Sequence, residues 1–319
     1  MKTFFSHARV ALKQGLVEIG CNKEDYVLVP DYICEAALTP FRELGININF
    51  YSLNRDFSPN WQELEELVSL RNYCAILMIH YFGVPQNILR FNEFCDDKNI
   101  LLIEDNAHGY GGSFQGKLLG TFGHIGISSP RKILNTPSGA ILYKGNNMIE
   151  PKNLDRKKYS LIEFIVRKFF GYYPGLKILY LRLLGRMPNI FDPKMSKEKA
   201  AKELIADSYS QKIINNSLSK EMMSSLRERQ QDRWNKCLSL MQELEIKPLY
   251  NELSEEVSPW LFPIIADSLE ERKKIYNYSI KHSFIMSAWP TLPPEVLHSK
   301  SDAYLVWFKL LFVHLNFRV

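Results

Sequence analysis

The chain has 319 residues, of which 46% are hydrophobic and 24% are charged, as in ordinary globular proteins. Its formal net charge of only +5 argues against a nucleic-acid-binding protein, and no apolar run is long enough to span a membrane. The five cysteines are an odd number without zinc-ligand spacing, which argues against a disulfide framework and a zinc site. The N-terminus lacks the apolar stretch of a signal peptide, and we therefore expect a cytoplasmic protein.

The first part of the chain alternates helical and strand patterns. Apolar spacing predicts helices at 5–19, 34–43, 60–70 and 86–98, and strands at 27–30, 46–51, 75–79, 100–103, 125–127 and 140–143. Strands that are apolar almost throughout, with helices between them, are typical of a parallel sheet covered on both faces. The pattern therefore predicts an α/β fold with a mostly parallel sheet sandwiched by helices.

The segment 150–185 differs in character, because aromatic and aliphatic residues alternate there with lysine and arginine. One interpretation is a helix that lies on a membrane surface. The other is a helical segment that packs on a partner subunit or over the active site. Breaks at Gly171 and at Pro174 and Gly175 interrupt a continuous amphipathic face and favour the second interpretation.

The rest of the chain predicts a smaller unit of mixed structure. Charged, helix-favouring sequence at 195–246 predicts one or two long surface helices. A strand at 260–265, a helix at 268–281 and a proline-rich loop at 288–294 follow. We therefore predict a large α/β domain at 1–215 and a small C-terminal α+β domain at 216–319.

Two residues near the middle of the chain suggest a cofactor site. Asp105 follows the apolar strand at 100–103, at the carboxyl end where open α/β sheets bind ligands. Lys132 lies in a later turn, flanked by Pro130 and Ile133. A lysine that forms a Schiff base and an aspartate that keeps the pyridine nitrogen protonated are what a pyridoxal phosphate site requires. The pair therefore predicts an aminotransferase with Lys132 as its catalytic residue.

Further residues near this sheet edge are candidates for cofactor binding. His108 has the chemistry to stack on a planar ring, and Tyr32 is either a second stacking residue or a core residue. The hydroxyl of Ser129, or that of Ser128, suits a phosphate group. The backbone amides around Ala8 and Arg9, at the start of the first helix, also favour an anion.

With these residues in place, the chain resembles the DegT/DnrJ/EryC1/StrS family of sugar aminotransferases. The similarity runs from about residue 5 to about residue 145 and is weaker after residue 258. It is carried by segments that occur in the order of the family's motifs: 8–12, 27–34, 81–83, 103–108, 116–123 and 129–132. The segment 103–108, Ile-Glu-Asp-Asn-Ala-His, resembles the family's signature around its cofactor aspartate.

The resemblance implies the fold of type I aminotransferases, with a mostly parallel sheet of the seven-stranded type. It implies a homodimer with shared active sites, with pyridoxal 5'-phosphate on Lys132, paired to Asp105 and supported by His108 and Ser129. It also implies a nucleotide-linked keto-sugar as substrate, glutamate as amino donor, and a place in the synthesis of surface polysaccharides or other glycoconjugates.

Departures from the family pattern keep a second interpretation open. The segment 135–139 lacks the paired glycines of the family, Ala8 stands where glycine is frequent, and the sequence ends soon after His314. These departures suit a degenerate relative that binds pyridoxal phosphate or a sugar nucleotide and acts as a partner or regulatory protein. A sugar dehydratase is a third, weaker candidate, since in those relatives a histidine replaces the lysine found here at Lys132.

Overall fold

The computed structural model describes residues 2–162, 202–282, 285–289, 291–299 and 302–315, with single positions between 165 and 183. Much of the predicted segment 150–185 and residues 195–201 lie outside the described residues. Helices and strands alternate through the first part of the chain. In order they are α1 (Ala8–Glu18), β1 (Tyr26–Pro30), α2 (Glu35–Glu43), β2 (Asn47–Tyr51), α3 (Trp61–Leu70), β3 (Ala75–Ile79), α4 (Ile88–Lys98), β4 (Leu101–Asn106), β5 (Ser113–Phe114), β6 (Lys117–Leu118), β7 (Ile125–Ser128), α5 (Pro130–Leu134), β8 (Ile141–Lys144), β9 (Asn147–Ile149) and β10 (Asp155–Arg156).

The central sheet has seven strands in the order β2-β1-β3-β4-β7-β8-β9. The first five run parallel, and β8 and β9 continue the sheet in antiparallel pairs. All five residues of β3 are buried, as expected for a strand with helices on both faces. The structure confirms the predicted α/β fold with its mostly parallel sheet.

The later part of the chain forms a smaller arrangement of helices and short strands that contains one antiparallel sheet. Its elements are β11 (Leu204–Ile205), α6 (Ser208–Asn216), α7 (Lys220–Glu243), β12 (Leu261–Ile265), α8 (Leu269–Lys281), β13 (Met286–Ser287), α9 (Pro294–Ser299), α10 (Asp302–Lys309) and β14 (Leu310–His314). Strands β12, β14 and β13 pair in that order. The described helices α6 and α7 lie within the predicted helical stretch, and Asp207 and Ser219 cap their N-termini.

Residues of this part of the chain contribute to a hydrophobic core of its own and to the main core under the large sheet. One is centred on Trp234 and Phe262, whose rings are 4.5 Å apart. The other is the main core under the large sheet, which also takes in Trp289 and Phe312 from the C-terminal residues. The C-terminal part thus packs directly on the α/β sheet. The boundary at 215/216 stays a prediction.

Candidate active site

The carboxyl ends of three neighbouring strands meet at one cavity. Asp105 of β4 pairs with Ile79 of β3 and Ile127 of β7 in parallel register. Strand β7 leads directly into the turn and short helix that carry Lys132. A cavity of about 270 Å³ opens there, and it is lined by residues from these strand ends, from the start of α1 and from the C-terminal part. This is the edge at which ligands bind in open α/β sheets.

The structure brings six of the seven predicted site residues to this cavity. They come from the N-terminus of α1, the end of β4 and the turn after β7: Ala8, Arg9, Asp105, His108, Ser129 and Lys132. Residues that are 124 positions apart in the sequence, from Ala8 to Lys132, therefore share one site. The two residues on which the cofactor prediction depends, Asp105 and Lys132, face the same cavity.

Lys132 is partly buried and lies against an aromatic face. Its Nζ is 4.3 Å from the centroid of the Trp260 ring, in the geometry of a cation–π contact. The preceding Ser129 accepts the Lys132 backbone N–H through its carbonyl oxygen at 3.0 Å, which fixes the turn that carries the lysine. The ammonium is thus held at the wall of the cavity.

Asp105 is a buried carboxylate. Burial raises its pKa above the ordinary value, while the Ala107 backbone N–H, which donates to Oδ1 at 2.7 Å, and the charge of Lys132 act in the opposite direction. A buried carboxyl group next to a lysine is the kind of titratable pair found at functional sites. Because Asp105 Oδ1 accepts the Ala107 N–H, Oδ2 is the oxygen that would accept a hydrogen bond from a protonated ring nitrogen of a ligand.

His108 is held as a neutral ring. Burial and the positive charge of Lys132 lower its pKa well below the ordinary value. Its Nδ1 accepts the backbone N–H of Phe82 at 3.2 Å, which assigns the remaining proton to Nε2. The ring centroid is 4.8 Å from that of Trp260 and 5.5 Å from that of Trp289. A neutral imidazole that packs against two tryptophan rings is suited to stacking on a planar ligand.

Some buried hydroxyl and indole groups on the cavity-lining residues have no hydrogen-bond partner within the described part of the chain. They are Ser129 Oγ, Trp260 Nε1 and Trp289 Nε1. Buried hydroxyl and indole groups are normally paired, so unpaired ones at a cavity indicate that a ligand supplies the partner. A planar cofactor that carries an anionic group would satisfy donors of this kind, and the residues present therefore fit such a group.

The charge of the cavity also favours an anion. Among the described residues that line it, Arg9, Arg131 and Lys132 are cationic and Asp105 is the carboxylate. The start of α1 adds the positive end of a helix dipole, and its first turn has no acidic residue. The prediction left open whether Ser128 or Ser129 faces the ligand. Ser129 lines the cavity, whereas the Ser128 hydroxyl accepts the Asn106 side-chain amide.

Tyr32, the seventh predicted site residue, is not among the residues that line the cavity. Its ring packs edge-on against Phe57, with centroids 4.9 Å apart, and in a tilted arrangement against Trp289 at the same centroid distance. Only 1% of the residue is exposed, and burial raises its pKa well above the ordinary value. In this position the ring packs among aromatic neighbours of the core. Trp289 lines the cavity in its place.

Glu104, next to Asp105 in β4, accepts a set of buried hydrogen bonds that link β4 to the end of β3 and to the loop before β7. Its carboxylate accepts His80 Nε2 at 2.9 Å and the backbone N–H groups of Gly120, Phe122 and Gly123. Burial alone would raise its pKa, but these hydrogen bonds outweigh burial and hold it below the ordinary value. His80 is fully buried in this network.

Sequence reasoning did not assign site roles to Trp260, Trp289 and Arg131. The two tryptophans come from the C-terminal part, more than 125 residues after Lys132, and no local pattern indicates that they reach the sheet edge. Arg131 was detectable, since it precedes the candidate lysine in the same turn. Basic residues next to each other in a ligand-binding turn are a signal for an anionic ligand.

Comparison with known proteins finds a family model that matches the first part of the chain. Residues 4–152, which contain all seven predicted site residues, match the model of the DegT/DnrJ/EryC1/StrS aminotransferase family. Over these residues the chain is similar to that family. The predicted resemblance is therefore confirmed.

Individual relatives show how far the similarity extends. GDP-perosamine synthase of Escherichia coli O157:H7 is 26% identical over 162 residues, which is 50% of this chain and 44% of the relative. The chain thus spans about half the length of the curated relatives it matches. A DegT/DnrJ/EryC1/StrS aminotransferase from Brucella abortus superimposes with a TM-score of 0.62 at 14% identity, covering 98% of this chain and 81% of that one.

The Escherichia coli GDP-4-keto-6-deoxy-D-mannose-3-dehydratase with bound hydrated pyridoxal phosphate has the same fold. It superimposes with a TM-score of 0.60 at 17% identity and covers 97% of this chain and 81% of that one. At such identities the superpositions establish the fold alone. The chain therefore has the fold of type I aminotransferases. Among the described residues, no helix combines the length and apolarity needed to cross a membrane.

Proposed function

We propose that this protein is a pyridoxal phosphate-dependent aminotransferase that moves an amino group from glutamate to a nucleotide-linked keto-sugar. The observation that carries the proposal is the convergence of Lys132, Asp105 and His108 on one cavity with unpaired buried polar atoms. Bound pyridoxal phosphate supplies an electron sink that stabilises negative charge at the substrate's amine-bearing carbon. The match of residues 4–152 to the aminotransferase family model supports the same chemistry.

Each residue then has a distinct task. Lys132 would hold the cofactor through its Nζ, and its amine is placed to move a proton as general base and general acid. Asp105 would accept a hydrogen bond from the pyridine nitrogen and favour its protonated form. His108 supports the ring as a neutral imidazole. Ser129 Oγ and the N-terminus of α1, with Ala8 and Arg9, bind the phosphate.

The substrate class is inferred from the relatives and from the charge of the cavity. GDP-perosamine synthase and the dehydratase named above are, by their names, enzymes of nucleotide-linked sugars. An excess of cationic side chains around the cavity suits a substrate that carries phosphate groups. We further propose a cytoplasmic homodimer with shared active sites that acts in surface polysaccharide or glycoconjugate synthesis.

The test uses the full chain loaded with pyridoxal phosphate. Its visible absorption is recorded before and after addition of glutamate, and 2-oxoglutarate is measured. We expect the visible band to shift as the amino group reaches the cofactor and the keto acid to be released. A GDP- or dTDP-linked 4-keto-6-deoxy sugar added next should restore the first spectrum and yield an amino sugar.

A second candidate function is a cofactor-binding partner protein without turnover. One observation favours it: the segment 135–139 lacks the paired glycines of the family. Bound cofactor without any spectral change on addition of amino acids would support this alternative. A dehydratase is disfavoured by the presence of Lys132.

A further inference from the structure

A second cavity, of about 420 Å³, is lined by Arg55, in the loop after β2, and by residues between 247 and 310 of the C-terminal part. Among the described residues that line it, none also lines the active-site cavity. Pockets that bind small molecules measure roughly 300–1,000 Å³. The second cavity therefore has room for an organic molecule and not only for a single ion.

Aliphatic side chains form the walls of the second cavity. They come from the stretch before β12, the end of β12, α10 and the first residue of β14: Leu249, Ile265, Leu305, Val306 and Leu310. The Leu249 backbone N–H donates to the Pro263 carbonyl at 3.0 Å, which holds that stretch against β12. Leu305 is 54% exposed, so part of the apolar wall is open to solvent. A hydrocarbon ligand would remove this surface from water.

Charged side chains at the same cavity leave an excess of positive charge. Of the described residues that line it, Arg55, Lys247 and Lys309 are cationic and Asp267 is the carboxylate. Lys309 Nζ lies 2.9 Å from Asp267 Oδ1. The hydrogen bond from Lys309 and the charges of Lys309 and Lys247 hold the pKa of Asp267 below its ordinary value. One carboxylate thus faces three cations, which leaves two positive charges for a ligand.

This excess of two charges indicates the class of ligand. A phosphate monoester carries about −1.5 to −2 charges at neutral pH, whereas an ionised carboxylate carries only one. Guanidinium and ammonium groups form charge-assisted hydrogen bonds with phosphate oxygens. The aliphatic walls suit a hydrocarbon chain attached to that phosphate, because an inorganic ion would leave them in contact with water.

The loop that carries Arg55 is fixed by its own hydrogen bonds and by one buried ring. The Phe57 backbone N–H donates to the Asn54 carbonyl at 2.9 Å, and the Asn54 N–H donates to the Ser58 carbonyl at 2.8 Å. The Phe57 ring is buried, and its centroid is 4.9 Å from that of Tyr32. A fixed loop lowers the entropy cost of placing Arg55 against a ligand.

We propose that the second cavity binds a phosphate monoester that carries an aliphatic chain. The chain contacts the apolar walls, and Arg55, Lys247 and Lys309 bind the phosphate. Asp267 opposes this binding, because its charge repels the phosphate and because it holds Lys309 in an ion pair. The inference goes beyond the proposed function and does not depend on it, since the residues named here do not line the active-site cavity.

The experiment measures the binding of octyl phosphate to the full chain, loaded with pyridoxal phosphate, by isothermal titration calorimetry. The probe is kept below the concentration at which it forms micelles. Inorganic phosphate and 1-octanol are the matched probes, which lack the chain and the charge respectively. We expect octyl phosphate to bind at least tenfold more tightly than either, because only octyl phosphate contacts the apolar walls and the cationic side chains together.

Two variants test the charged residues in opposite directions. Arg55→Gln combined with Lys247→Gln changes two exposed cationic residues and should weaken octyl phosphate binding at least tenfold. Asp267→Asn removes the carboxylate that repels the phosphate and should tighten binding about threefold or more. The control combines Lys212→Gln and Lys236→Gln, at exposed positions of α6 and α7, and should leave binding unchanged.

A vesicle experiment identifies the source of the phosphate ester. The full chain is sedimented with phosphatidylcholine vesicles that contain phosphatidic acid. Sedimentation that is lost in the Arg55→Gln, Lys247→Gln variant indicates a phospholipid headgroup, whereas the absence of sedimentation indicates a free phosphate ester. Both results support the proposal once octyl phosphate binds as expected.

Any of three results overturns the proposal. The wild-type chain does not bind octyl phosphate, or it binds inorganic phosphate equally well, or the Arg55→Gln, Lys247→Gln variant binds octyl phosphate as tightly as wild type. The last result would place the probe elsewhere on the protein. Circular dichroism reports the folding of each variant, and tighter binding by Asp267→Asn is a change that loss of structure does not produce.

Discussion

The two regions that build the cavity contribute different chemistry. The sheet edge at residues 103–132 supplies the titratable groups, Asp105, His108 and Lys132, together with the Ser129 hydroxyl. The C-terminal part supplies the aromatic faces of Trp260 and Trp289, which contact those groups. The difference teaches that the reactive residues are fixed by one sheet, whereas their surroundings depend on how a distant part of the chain packs on it.

The largest expected effect comes from the lysine of the sheet edge. Lys132→Ala should lower turnover by roughly 10⁴-fold or more, because it removes the covalent anchor and the proton carrier together. The visible band of the protein-bound cofactor should also disappear. The control is Lys117→Ala, which removes an exposed lysine of β6 and should retain wild-type activity. Full activity in Lys132→Ala would end the proposed mechanism.

The next-largest effect is expected for Asp105→Asn, which removes the carboxylate charge but keeps the size of the side chain. This variant should lower kcat by about 10²-fold or more, because a neutral amide does not hold the pyridine nitrogen protonated. Burial raises the pKa of Asp105, so ionisation at neutral pH costs stability in the cofactor-free protein. The same variant should therefore unfold at a higher urea concentration at pH 7. A less stable and fully active Asp105→Asn protein would contradict both points.

A third prediction concerns the stability of the sheet edge and its pH dependence. Glu104→Gln should lower the free energy of unfolding at pH 7 by about 2–3 kcal/mol, because it weakens hydrogen bonds from His80 and three backbone N–H groups to a buried carboxylate. The folded-state pKa of Glu104 lies below its ordinary value. Its contribution is therefore present above the unfolded pKa, about 4.3, and is lost as the pH falls through the folded pKa.

Urea titrations of this variant at several pH values check that sign. The difference from wild type should shrink as the pH falls below the unfolded pKa. Glu93→Gln, at an exposed position of α4, is the matched control and should change little at any pH. A difference that grows on acidification would show that the carboxylate is not the stabilising form.

The smallest effect belongs to the C-terminal region. Trp260→Leu should lower kcat/KM about tenfold, because it removes both the ring face against Lys132 and an indole N–H at the cavity. Trp260→Phe keeps a ring face and should recover most of that loss. Steady-state kinetics on both variants test this prediction. Equal activity of wild type and Trp260→Leu would show that the C-terminal part only closes the cavity.

The sequence predicts the sheet edge well because the signals there are local. Apolar runs mark the strands, and the residue after each run lies at the ligand edge, which places Asp105 and Lys132 together. Tyr32 follows a strand in the same way, but its orientation depends on Phe57 and Trp289. Trp260 and Trp289 reach the cavity through tertiary packing, which no spacing in the sequence records. The network around Glu104 is hidden for the same reason, since its donors lie 16–24 positions away.

The most direct test of the central claim is to locate the cofactor on the chain. The protein loaded with pyridoxal phosphate is reduced with borohydride, digested and analysed by peptide mass spectrometry. We predict one modified peptide, with the added pyridoxyl phosphate mass on Lys132. Modification on a different lysine, or none at all, would contradict the assignment of this cavity as the cofactor site.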